Sequence, residues 1–338
     1  FTLPPPKTMM TCLLLLSCLG GVAGEVGRLK APVLGHPGRV VQGMRGEGHS
    51  SSAVRRSMEL RGGGVRVDLL MPRLLTSALS QPSIPVFVLL SLASSSLGFS
   101  SVTSFVSTGY GLSMASMGVA TLAAVLSKGG GGDKGGLDPL AMLHAGGLLV
   151  YGLRLFTFLA WRSRIPQIRQ RLRAVDAKVT GASKAVLWLC VSLLFPAMFS
   201  PVHYACRAGA PLASQPSVQG TGIAVLWLGV VLEAVADLQK AVWKHRSNSF
   251  CSVGLFRFVR HPNYLGEILV YCGSYLAAIQ AMEKWHQWAI STFGLSTILS
   301  IMRSATLSLE AKQGELYGAL AEYQEYKDKT SCLVPGLY

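Results

Sequence analysis

Acidic side chains are scarce where this sequence is most apolar, so the few that occur there are the first places to look for chemistry. Glu233 and Asp237 lie in the run Leu226 to Val242, four residues apart, which puts both on one face of a helix. Lys240 and Lys244 continue that face toward a basic loop. A charge at the middle of a bilayer costs at least roughly 2.5 to 3.5 kcal/mol, so such groups face a polar cavity or one another. Two readings follow: a ladder of ion pairs that fixes helix packing, or a polar site that takes a ligand inside the membrane.

A second constellation occupies Gly254 to Glu267, GLFRFVRHPNYLGE. Gly254 lets the chain turn, and Arg257, Arg260 and His261 bring up to three positive groups together. Pro262 suits the first position of a helix, whose free N–H groups and positive dipole end then lie beside those cations. Such an arrangement receives a phosphate. Asn263 and Glu267, again four apart, point from the first turns of the same helix to one cavity, with Tyr264 between them. The plainer reading of Arg257 and Arg260 is a pair of arginines at the membrane surface.

The elements that must hold these residues are membrane helices. Half of the 338 residues are hydrophobic and 14% are charged, and the mean hydropathy is +0.41, too apolar for a soluble enzyme of this size. About 20 residues carry a helix across the hydrocarbon core. Ile84 to Leu126 contains no Lys, Arg, Asp or Glu and is long enough for two crossings with a break near Gly98 to Ser101. Further spans are expected at Leu140 to Trp161, Ala185 to Cys206, Gly222 to Trp243, Tyr264 to Met282 and Trp288 to Leu309. The expected fold is an all-α polytopic membrane bundle of six to seven transmembrane helices.

The loops alternate in charge as the positive-inside rule requires. Arg162 to Lys184 carries seven basic residues against Asp176, the loop before it is balanced, and the loop after Cys206 holds only Arg207. Lys240 to Arg260 is basic again. Both basic loops and the tail after Leu309 therefore belong to one side, most simply the cytosolic one or its equivalent in an organelle, where a soluble cofactor reaches His261, Pro262 and Asn263. The net charge of +15 implies anionic partners, membrane lipids or a phosphorylated ligand. Nucleic acid is not expected, because the basic residues sit in short loops between apolar runs and carry no zinc-finger or RNA-binding signature. Seven cysteines with no CxxC and no metal-ligand spacing give neither a disulfide framework nor a metal site.

Residues 1–80 differ in composition from the membrane domain, 81–338. Lys7, the short apolar run Cys12 to Leu19 and the small residues after it have the layout of a signal peptide. The Gly-, Ser- and Arg-rich stretch that follows reads as an organelle transit segment or as a plain disordered basic tail.

Glu233, Asp237 and Lys240 in EAVADLQK, Asn248, Gly254-Leu255, and Arg260-His261-Pro262-Asn263-Tyr264 with Gly266-Glu267 resemble the steroid 5-alpha-reductase family, in the branch called domain of unknown function 1295. Tyr151-Gly152-Leu153-Arg154 and the ending Tyr323-x-x-Tyr326, Thr330, Leu333-Val334-Pro335 are similar too, so the resemblance covers roughly Phe99 to Pro335. It implies a membrane oxidoreductase acting on CH–CH groups, which holds NADPH among its carboxy-terminal helices. The implied substrate is a hydrophobic small molecule or lipid with a carbon-carbon double bond conjugated to a ketone. By position the resemblance implies cofactor contacts at Asp237, Arg260, Asn263 and Glu267, and a substrate-facing hydroxyl at Tyr151. The full expected cofactor site is Glu233, Asp237, Lys240, Lys244, Arg257, Arg260, His261, Asn263 and Tyr264, and the expected catalytic residues are Tyr151 and Glu267. Hydride would add to the β-carbon while charge grows on oxygen, so a donor must meet that oxygen.

One departure separates this chain from steroid reductases proper, which carry a Gln-Glu pair on an early helix. No acid occurs here between Asp68 and Asp133. The Arg-His-Pro-x-Tyr turn and the Tyr-x-x-Tyr ending are also similar to membrane isoprenylcysteine carboxyl methyltransferases, which use S-adenosylmethionine. Asn263, Glu267 and the Glu233/Asp237 pair favour the reductase over that alternative, and a non-catalytic membrane scaffold is the third reading. The matching location is the endoplasmic reticulum or a plastid membrane, and the sequence sets no oligomeric state.

Overall fold

The computed structural model describes residues 82–129, 138–177, 179–208, 216–247, 249–334 and 336. The expected signal or transit segment lies outside the described residues, as does Asn248. Among the described residues there is no strand, only an isolated bridge between Val259 and Ser331.

Proline and aspartate set several of the helix starts. α1 (Ile84–Ser95) opens on Pro85, at a position where a missing N–H leaves nothing unsatisfied. The uncharged run breaks, as expected, in a 3-10 turn (Ser96–Phe99) and the single turn α2 (Val102–Phe105), and resumes as α3 (Thr108–Gly129). Asp138 caps α4 (Pro139–Ser163): its Oδ1 accepts from Leu140 N at 3.0 Å and Ala141 N at 3.2 Å. A short basic helix, α5 (Pro166–Asp176), leads into α6 (Gly181–Ala208), which contains Pro196 and Pro201. Then come α7 (Pro216–Arg246), α8 (Pro262–Ala278), α9 (Trp285–Tyr317) and α10 (Ala321–Lys329).

Four helical stretches among the described residues are long and apolar enough to cross a membrane: Val102–Ser127, Pro139–Ser163, Gly181–Ala208 and Ser217–Arg246. Ile84–Phe99 is apolar but shorter. The two other expected spans differ from these in kind. α8 has only 17 residues, and α9 dilutes its apolar residues with Ser and Thr and carries Arg303 along its length. The architecture is nonetheless that of a multi-pass, all-helical membrane bundle, with Leu89, Leu193, Leu228 and Leu238 more than half exposed on its outside.

The core joins α1, α3, α4, α6, α7 and α8 through Phe87, Met114, Leu148, Phe199, Leu226 and Val270. Two helix pairs approach so closely that only glycine fits. A Cβ added to Gly152 would lie 2.6 Å from Gly111 O, and one on Gly229 would lie 2.6 Å from Gly266 O. A Cβ on Gly266 would lie 2.7 Å from the Glu233 Cβ. These contacts lock α3 to α4 beside Tyr110 and Tyr151, and α7 to α8 between Glu233 and Glu267.

Candidate functional site

The acids of α7 find a cation that the sequence reading did not assign. Arg154 of α4 donates from Nη1 to Asp237 Oδ2 at 2.6 Å and pairs through Nη2 with Glu233 Oε1. All three side chains are largely buried, at 18%, 5% and 14% exposure, so each charge is compensated inside the bundle. The guanidinium also lies 5.8 Å from the centre of the Tyr151 ring. A signal was available: Arg154 is the sole charged residue in the apolar run Leu140 to Trp161.

One helical turn away from that triad, three tyrosines gather around Glu267. Tyr110 of α3 is the hub: its hydroxyl donates to Glu267 Oε1 at 3.0 Å and lies 3.1 Å from the Tyr151 hydroxyl. It also bonds the Tyr271 hydroxyl. A hydroxyl has one hydrogen and two lone pairs. With the Tyr110 hydrogen given to the carboxylate, the Tyr110 oxygen accepts from Tyr271, while Tyr151, which bonds both neighbours, donates to Tyr110 or to Glu267 itself. The result is a directed network in which both expected catalytic residues, Tyr151 and Glu267, meet directly and through Tyr110, which was missed. Tyr110 and Tyr271 look like ordinary core aromatics in an apolar run, although Tyr271 follows Glu267 by four residues and so shares its face.

Around this cluster some polar atoms lack partners. Glu233 Oε2, Asn263 Oδ1 and Arg154 Nε are buried without a hydrogen bond. The remaining expected contacts lie toward the basic end. Lys240 sits 5.9 Å over the Phe256 ring, and exposed Lys244 donates to Ser249 O at 2.8 Å, so neither extends the acid ladder by pairing. Tyr264 stacks on His261 with ring centres 5.6 Å apart.

The cation cluster expected to receive phosphate is arranged otherwise. Arg260 is 6% exposed and grips Glu310 of α9 through both carboxylate oxygens, Nε to Oε1 at 3.1 Å and Nη2 to Oε2 at 3.0 Å. Its Nη1 donates to Lys327 O at 2.9 Å and to Thr330 O. His261, fully buried, bonds Glu310 Oε1 through Nε2 at 2.7 Å. Only Arg257 is exposed. Arg260 and His261 therefore form a clasp between the start of α8, α9 and the end of α10 with the segment that follows it, and do not present a free phosphate site. The reason is Glu310, which a local reading of GLFRFVRHPNYLGE cannot see.

Electrostatics within the clasp are consistent with that role. Burial alone would raise the Glu310 carboxyl, but hydrogen bonds from His261 and Arg260 outweigh it and bring its pKa from 4.5 down to about 2. Burial pushes the His261 imidazole below its ordinary value despite the carboxylate. The ring is thus neutral near pH 7 and carries its proton on Nε2, facing the acceptor. His261, Glu310 and Cys332 offer ligand atoms within 4.8 Å of one another, but the Arg260 guanidinium already holds both Glu310 oxygens where a metal ion would compete.

A crevice of about 480 Å³, lined by Leu122, Met142, Leu143, Gly146, Val150 and Trp227 among others, opens on the outer face between α3, α4 and α7. It is apolar and includes none of the charged or tyrosine residues above.

Residues 102–330 match the model of a protein family of unknown function, DUF1295. An uncharacterised protein of Schizosaccharomyces pombe is 33% identical over 88 residues, which is 26% of this chain and 24% of that relative. The match thus spans about a quarter of the relative's length. No solved structure matches. With most of its membrane domain matched, the chain belongs to the DUF1295 family.

Proposed function

We propose that the protein is an NADPH-dependent membrane reductase of the steroid 5-alpha-reductase type, saturating a carbon-carbon double bond conjugated to a carbonyl in a hydrophobic or lipid substrate. The endoplasmic reticulum or a plastid membrane is its proposed location. The observation that carries the proposal is the buried Tyr151, Tyr110 and Glu267 network. A hydroxyl that donates in a dry, preorganised site stabilises the negative charge that grows on a carbonyl oxygen during reduction. Tyr151 would turn its hydrogen from Tyr110 or Glu267 to that oxygen, and Tyr110 with Glu267 would hold the ring in place. The apolar walls from α3, α4 and α8 keep water out.

Orphaned polar atoms support the cofactor end. Asn263 Oδ1 and Glu233 Oε2 are buried acceptors without partners, matched to the amide donors of a nicotinamide. The cofactor itself would supply the hydride. Because Arg260 and His261 are committed to Glu310, its phosphates would fall to Lys240 and Lys244, with exposed Arg257 adding only to the surrounding positive field. Arg162 joins them, since its charge acts on Asp237, Lys240 and Tyr264.

One observation favours a second reading. Withdrawal of Arg260 and His261 into the clasp leaves fewer cations for phosphate, and S-adenosylmethionine, the methyltransferase cofactor, has none. The test is mass spectrometry of protein purified in mild detergent and incubated with each cofactor, followed by NADPH oxidation in the presence of a panel of enones. Retained NADPH and enone-dependent oxidation support the reductase. Retained S-adenosylmethionine replaces it with the methyltransferase, and retention of neither leaves a scaffold.

A further inference from the structure

The short helix α5 plays no part in either cluster, yet its surface is the most strongly patterned among the described helices. Helices α4 and α6 pin both its ends at the basic end of the bundle. Ile165, Ile168, Leu172 and Val175 recur at helical spacing and are only half buried. Val175 reaches the main core, whereas Ile165, Ile168 and Leu172 join no core cluster among the described residues. An apolar stripe is thus left partly uncovered beside the bilayer.

The flanks of this stripe are basic without compensation. Arg164, Arg169 and Arg173 are exposed, and no acid pairs with them among the described residues. The neighbouring acid, Asp176, is occupied: its Oδ1 accepts from Val102 N at 2.7 Å and pairs with Lys184 at 3.0 Å. Just before the helix, Trp161 is 54% exposed, with its ring centre 6.0 Å from that of Phe158. Tryptophan favours the level of the lipid headgroups.

We propose that α5 lies in the membrane surface and binds anionic phospholipid headgroups through Arg164, Arg169 and Arg173, with Ile165, Ile168 and Leu172 seated in the acyl boundary beneath. An uncovered apolar stripe with basic residues along its flanks is the signature of an interfacial helix. A guanidinium fork meets phosphate oxygens two at a time, which gives these arginines a geometric match that diffuse charge lacks. Anchorage between two membrane helices holds the surface at headgroup level, so its partner is the bilayer that surrounds it.

The test is native mass spectrometry of the full chain in mild detergent, titrated with phosphatidylserine or phosphatidylcholine. The wild type should prefer phosphatidylserine. Each of Arg164→Gln, Arg169→Gln and Arg173→Gln should weaken phosphatidylserine binding roughly fivefold, as one charge at the surface predicts, and leave phosphatidylcholine unchanged. Leu172→Gln should weaken both lipids, and the soluble headgroup glycerophosphoserine should fail to displace phosphatidylserine. Arg207→Gln, at the far end of α6, should have no effect. Equal affinity for the two lipids, an unaltered triple arginine variant, displacement by the soluble headgroup, or an equal loss with Arg207→Gln would each overturn the proposal.

Discussion

Glu310 and Glu267 are both carboxylates held between helices, and both were gathered by groups far away in the chain. In the clasp, Glu310 takes two hydrogen bonds from Arg260 and one from His261, and the remaining Arg260 nitrogen is used by the carbonyls of Lys327 and Thr330. Inside the membrane, Glu267 is served by the hydroxyls of Tyr110 and Tyr151, and Glu233 and Asn263 beside it keep oxygens without partners. A network whose bonds are nearly all made can only be kept or broken. One with buried acceptors to spare has capacity for a ligand, at the expense of its own stability.

The sharpest way to break this comparison is to remove a clasp cation. Arg260→Ala strands Glu310 and two carbonyls, and the expected loss is about 3 to 5 kcal/mol, the usual consequence of deleting one partner of a buried pair. Thermal unfolding in detergent should show a large drop, and the double variant Arg260→Met/Glu310→Leu should recover most of it. A stable Arg260→Ala protein that no longer binds cofactor would invert the assignment of the two regions.

Tyr151→Phe asks the converse question of the intramembrane cluster. It deletes one hydrogen bond, worth about 1 kcal/mol of stability, but removes the proposed donor to the substrate oxygen, so turnover should fall roughly 100-fold. Steady-state rates and melting temperatures measured on the same preparation separate the two effects. An equal loss of both would mark the tyrosine cluster as packing.

Acidity should loosen the clasp in two stages. His261 has a depressed pKa in the folded state, so the unfolded chain binds a proton that the folded one refuses, and stability declines as pH falls below about 6.5. Glu310 is also depressed, so its contribution is present above 4.5 and fades as pH falls toward 2. His261→Gln should abolish the upper stage and leave the lower one. A melting temperature flat from pH 7 to 4 in the wild type would show that His261 titrates the same in both states.

The smallest effect is expected for Arg257→Ala. The side chain is exposed, and surface substitutions generally change stability by no more than about 0.5 kcal/mol. Cofactor affinity should fall only at low salt, where unscreened surface charge acts at a distance. A loss as large as that of Arg260→Ala would mean that the cation cluster works as first expected.

Local patterns made most of the fold legible. Apolar runs located the helices from Ile84 to Tyr317, and their interruption near Gly98 located the reversal before α3. The spacing of Glu233 and Asp237 correctly gave them a common face, because both bond one guanidinium. What one helix pattern cannot reveal is the identity of a partner on another. Arg154 and Asp237 are 83 residues apart in sequence, and Arg260 and Glu310 are 50 apart. The same triplet of cations that reads locally as a phosphate nest is redirected by one acid on α9. Hydroxyls were harder still, since a tyrosine in an apolar run looks alike whether it packs or donates.

The wiring of Arg260 has a consequence for the order of events during synthesis. Its acceptors arrive 50, 67 and 70 residues after it. At about 5 to 20 residues per second, the last of them follows roughly 4 to 14 seconds later. Until Glu310 has been made the guanidinium lacks its carboxylate, and an unpaired charge costs too much in lipid, so the start of α8 is held to the aqueous side while α8 is inserted. Insertion machinery therefore meets an exposed positive charge where the finished protein shows a buried one. The residue that finally seals this end of the bundle first serves as a marker of which side it belongs to.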